Sequence, residues 1–251
     1  MDLVLAILLR VLLFLVIMGF ACLAASWGLL KGMKPSHSVL AGTFGAVLFF
    51  GMLFAFVQGG QTPGFHSLVD ELLQETDKIP VPPPFTSTPE ATESYKSFCK
   101  NFVVLALPAW AAIGCVIVGI LAYSISAALL SRITPKVSKP IAFRQWVVPE
   151  PMVFGLILGG ILKLSVLWFK AVGWVDILGN NFVVFFLGLY TLGGLSIVSF
   201  FLHRWRLPAV LRFFSYILLI QVLFESICAI GILDVWFDFR KLKALPPEPA
   251  S

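Results

Sequence analysis

The chain of 251 residues is 59% hydrophobic and only 12% charged, with 24 Phe and 7 Trp, whereas soluble domains are about half apolar and a quarter charged. Long uninterrupted apolar blocks carry the excess, which points to an integral membrane protein with several helical spans rather than a soluble enzyme. The net charge of +5 comes without a basic run interleaved with aromatics, as a nucleic-acid groove needs, and the four cysteines lack CxxC spacing.

The first apolar block predicts a span over residues 4–30, stopped by Lys31 and Lys34. Arg10 lies in its first turns, where a long side chain snorkels to the headgroups. The N-terminus lacks a basic n-region and a small-residue cleavage site, so it reads as a retained span. Ala21 and Ala25 form a small-xxx-small pair suited to close helix packing. A second span is predicted over 38–57, with Gly42, Gly45 and Ala46 on a packing face and Gly59-Gly60 at its end.

Residues 58–100 form the one sizeable polar segment. Phe65, Leu68, Val69, Leu72 and Leu73 share one helical face there, opposite Asp70, Glu71 and Glu75. That pattern suits a helix lying on the membrane surface or over the mouth of a bundle. The run IPVPPPF (79–85) predicts an extended strap. Thr88-Pro89-Glu90 reads as a helix start, free to run on into the next span. The segment is either a lid over a ligand site or a plain connection.

A third span is predicted over 102–130, kinked at Pro108. A basic loop follows with Arg132, Lys136, Lys139 and Arg144, and Trp146 marks an interface. The fourth span, 151–171, is PMVFGLILGGILKLSVLWFKA. Gly155, Gly159 and Lys163 recur every fourth position in it and share a face. The glycines admit a close neighbour, and the ammonium within the span demands a partner. A fifth span over 182–202 is rich in small and hydroxyl groups, Tyr190 among them. A sixth over 209–233 carries Gln221 and Glu225 one turn apart.

Spans four and six cross the membrane in the same direction. Lys163 and Glu225 each lie slightly past the middle of their spans at a rise of about 1.5 Å per residue. They are therefore predicted to form a salt bridge at matching depth, completed by Gln221 and Tyr190. Two readings of that pair stay open: a self-neutralising structural pair that sets register, or the lining of a polar chamber for a solute or ion.

Catalytic signatures such as HExxH and GxSxG are not found, and His37, His66 and His203 fall in loops or at span ends. No cofactor or metal is expected. Asp234 and Asp238 sit beside Arg240 and Lys241, which favours local charge balance over a cation site. The expectation is an all-α, polytopic transmembrane helix bundle of about six spans, forming a single membrane domain over 1–251.

From about Phe102 onward the chain resembles the YybS-like family of uncharacterised bacterial membrane proteins. The resemblance is carried by LALPAWAA (105–112), FRQWVVPEPMVFGLILG (143–159), LGGLSIVSFFLHRWRLP (192–208) and, most specifically, ILDVWFDFRK (232–241). That family is distantly similar to the substrate-capture subunits of energy-coupling-factor transporters. The resemblance implies the bacterial cytoplasmic membrane, a solute site among spans four to six, and docking on a membrane coupling subunit through small residues of span one, here Ala21 and Ala25. The energy would come from ATPases in other chains, since no GxxxxGK[ST] run is present. Charge placement departs from the analogy. Lys and Arg concentrate in the loops after spans one, three and five, which puts both termini outside, whereas the capture subunits keep both inside.

The first functional expectation is thus a membrane-embedded solute-binding subunit of a transporter. The alternative is a non-transporting membrane scaffold or assembly protein of the cell envelope. An enclosed polar chamber among spans four to six favours the first. A core filled with Phe and Leu favours the second.

Overall fold

A computed structural model describes residues 3–59, 74, 78, 80–82, 88–100, 105–137, 139–169 and 173–240. Its long elements are helices: α1 (Leu3–Leu30), α2 (Pro35–Gly59), α3 (Pro89–Cys99), α4 (Leu107–Ile133), α5 (Met152–Phe169), α6 (Gly173–Arg204) and α7 (Ala209–Phe237). A short 3-10 turn, Phe143–Gln145, precedes α5. Among the described residues, four stretches are long and apolar enough to cross a membrane: Leu12–Leu30, Leu107–Ile133, Trp174–Arg204 and Ala209–Phe237. The Met152–Val166 stretch of α5 is apolar but shorter. The all-helical membrane architecture expected from the sequence is therefore the one found. The chain divides into two compact units, Met1–Pro140 and Ile141–Ser251.

In the first unit α1, α2 and α4 pack against one another. Small residues set their spacing: a Cβ added at Gly42 would stand 3.3 Å from the Gly119 carbonyl and 3.4 Å from the Ala25 Cβ. The Ser126 hydroxyl donates to the Cys22 carbonyl at 3.1 Å, tying α4 to α1. Such interhelical bonds suit a medium without water to compete for them.

Helix α3 starts where the Thr88-Pro89-Glu90 signal places it. The Thr88 hydroxyl accepts from the Ala91 amide at 3.1 Å, with Pro89 in the first turn. Two expectations nearby are corrected. The helix ends at Cys99 and does not run on into α4, and Pro108 occupies the first turn of α4 rather than kinking a span. A first-turn amide has no partner within its helix, so proline loses nothing there. Apart from Gln74, the surface helix read from Phe65 to Glu75 lies outside the described residues, as do most of the 79–85 strap, Lys241 and the Arg10 side chain.

In the second unit α6 packs against α5 on one side and α7 on another. Its core is Tyr190, Cys228 and Val235, with Met152, Leu156 and Phe186 among the side chains around them. Helices α6 and α7 touch backbone to backbone: a Cβ on Gly194 would run into the Ile227 carbonyl, and one on Gly231 into the Tyr190 carbonyl. Only glycine permits that approach. Within α7 the backbone leaves helical geometry at Leu223 (φ −123°, ψ 29°), so the 29-residue helix is broken near its middle.

Candidate functional site

The residues predicted to form one polar site do not meet. Lys163 does not pair with Glu225. Its ammonium donates to the Asp176 carboxylate at 2.6 Å, and both side chains are about one-third exposed (35% and 32%). Asp176 belongs to the first turn of α6, where the positive end of the helix dipole also favours a carboxylate. Helix α6 starts at Gly173, nine residues earlier than the predicted fifth span. That extension turns a supposed loop acid into a helical one facing α5. A Cβ on Gly179 would stand 3.1 Å from the Lys163 backbone nitrogen, so the two helices are already in contact where the ion pair forms.

Glu225 and Gln221 instead flank the break at Leu223 on an exposed stretch of α7. Glu225 forms no hydrogen bond or ion pair among the described residues. Tyr190 is fully buried in the apolar core, and its hydroxyl has no partner there. It completes no polar group with Gln221 or Glu225.

Gly155 and Gly159 lie against α6, since a Cβ at the first would enter the Phe186 ring and one at the second would stand 2.9 Å from the Phe182 Cβ. Ala21 and Ala25 are fully buried between helices of their own unit. The implied docking face on another chain is corrected accordingly: these alanines are already covered.

The most developed polar cluster was only half visible in the sequence. Arg240 follows α7 across Asp238, whose left-handed backbone (φ 41°, ψ 60°) ends the helix. The Asp234 carboxylate accepts from the Phe239 amide at 2.9 Å and from the Arg240 Nη2 at 2.7 Å. The other guanidinium nitrogen, Nη1, donates to the Ser196 hydroxyl at 2.6 Å and to the Arg144 carbonyl at 3.0 Å. Ser196 in turn lies 2.8 Å from the Phe143 carbonyl and 2.9 Å from the Trp146 carbonyl. The Arg240 and Asp234 side chains are 1% and 7% exposed. This is the charge balance read for Asp234, extended through Ser196 to a loop about a hundred residues upstream. It ties the end of α7, the last third of α6 and the 3-10 turn into one body. Among the described residues no group of His, Cys, Asp and Glu is arranged to hold a metal ion.

Long apolar helices whose buried charges, among the described residues, are paired define a polytopic membrane protein. The family model described as "Predicted membrane protein (DUF2232)" matches residues 1–235, and the chain belongs to that family. No curated protein and no solved structure matches it.

Proposed function

We propose that the chain is a non-transporting membrane scaffold that assembles or anchors other membrane proteins, with the exposed stretch of α7 around Gln221 and Glu225 as its contact surface. The observation that carries this reading is the separation of Lys163 from Glu225. The predicted chamber loses its ionised couple, and the Tyr190 region where it was placed is filled by Met152, Leu156, Phe186 and their neighbours. Glu225 is left exposed within a helix long and apolar enough to span a bilayer. A carboxylate in such a stretch is costly until a cation or donor meets it. A partner helix carrying Lys, Arg or amide groups supplies that. Large apolar side chains beside it, Val222 and Phe224 among them, are exposed and provide the rest of the contact.

A second reading keeps the solute-binding subunit suggested by the likeness to energy-coupling-factor capture proteins. The break at Leu223 favours it, because transporter sites are often built at interrupted membrane helices flanked by polar groups. In that case Gln221 and Glu225 contact the solute and other chains supply the energy.

The two readings separate by photo-crosslinking from Val222 in native membranes, with mass spectrometry of both protein adducts and co-purified small molecules. The scaffold reading expects one dominant membrane-protein adduct, lost in Glu225→Leu. A tightly held polar solute that disappears in Glu225→Gln, with no protein adduct, would overturn it in favour of the second.

A further inference from the structure

Helices α1 and α2 leave an apolar groove of about 560 Å³ between them. Its floor is made of small residues, Ala24, Ala41 and Gly45, and the helices nearly touch beneath it: a Cβ on Gly45 would stand 3.0 Å from that of Ala24. At one end the Phe20 and Phe49 rings meet, their centroids 4.9 Å apart. At the other stands Trp27, half exposed, with the Lys31 ammonium 4.5 Å above its ring. Lys31 pairs with no carboxylate among the described residues, and Lys34 lies exposed three positions on. From Phe20 to Trp27 the slot runs roughly 10 Å at the helical rise.

We propose that this groove binds one anionic glycerophospholipid, with an acyl chain on the Ala24–Ala41–Gly45 floor and the headgroup phosphate at Lys31 and Lys34. The lining takes hydrocarbon, and the Lys31 ammonium over Trp27 gives its mouth a cation. The ligand that satisfies both is an apolar chain ending in a negative charge. Trp27 fits the same picture, since tryptophan concentrates at headgroup level. A choline headgroup would bring a second cation to Lys31. A second copy of the chain fits worse, because a twofold axis along the membrane normal would set each Lys31 and Lys34 against its own like charge.

The full chain is reconstituted in phosphatidylcholine vesicles containing either brominated phosphatidylglycerol or brominated phosphatidylcholine, and tryptophan quenching is measured. Subtracting Trp27→Phe isolates the contribution of Trp27. Brominated phosphatidylglycerol is expected to quench Trp27 at lower mole fraction than brominated phosphatidylcholine. Lys31→Gln, a surface change that leaves the helix contacts alone, is expected to reduce that preference by about fivefold, the factor for one basic residue at an anionic surface. Filling the floor with Ala41→Phe should abolish the preference in protein whose melting temperature is unchanged. Equal quenching by the two lipids, or a preference that survives Lys31→Gln, overturns the site and leaves ordinary solvating lipid. No quenching by either lipid overturns it as well, by showing the groove covered by protein.

Discussion

The Arg240 guanidinium lies 2.7 Å from the Asp234 carboxylate, and neither side chain has more than 7% of its surface exposed. Removing one member leaves the other charge buried without its counter-ion, which typically destabilises by about 3–5 kcal/mol. Arg240→Met and Asp234→Leu should each lower the melting temperature in detergent sharply. The double variant should recover much of the loss. Two single changes that leave melting unmoved would mean that the pair is not formed in the folded protein.

The Lys163–Asp176 pair should behave differently, because each side chain is about one-third exposed. Solvent screens such a pair, and ion pairs of this kind contribute about 0–1 kcal/mol. A double-mutant cycle with Lys163→Met and Asp176→Asn should give a small coupling that shrinks with salt. The corresponding cycle with Glu225→Leu should give none. Coupling to Glu225 and none to Asp176 would restore the salt bridge that the sequence suggests.

The glycine contact between α6 and α7 makes a third contrast. A methyl on Gly231 meets the Tyr190 carbonyl, whereas one on Gly160 meets nothing within 4 Å. Gly231→Ala should destabilise by about 1–3 kcal/mol, the usual range for overpacking. Gly160→Ala should be neutral or stabilising by up to about 1 kcal/mol through helix propensity. Thermal melts of the two variants in the same detergent check the ordering.

At the start of α3 the Thr88 hydroxyl caps the Ala91 amide. Thr88→Ala should destabilise that helix by about 1 kcal/mol. The loss should show as faster amide hydrogen exchange over 91–95, with α1, α4 and α6 unchanged, since the helix is short and depends on its own ends.

Local rules carried far in this chain. Span-length apolar runs revealed the helical membrane class because hydrocarbon tolerates only backbones that satisfy their own hydrogen bonds. The Thr88 cap was legible from three residues because it depends on neighbours within a turn; the Gly155–Gly159 spacing marked a packing face but not that Phe182 and Phe186 of α6 would cover it. Pairing was not legible. A lone ammonium in an apolar helix announces that it has a partner but not which one. The choice of Asp176 over Glu225 followed from where α6 begins, which hydropathy alone misjudged by nine residues. The same holds for Ser196 with Arg240, 44 positions apart.

By itself the sequence determined that this is a membrane-embedded helical protein with charges that must be neutralised, since that follows from the energetics of any apolar solvent. Which charges meet, and which are left facing outward, was decided only by the tertiary structure. Partner choice depends on helix register, on glycine contacts that set helix spacing, and on the turn at Asp238 that brings Arg240 back to Asp234. These are geometric facts that no window of residues contains.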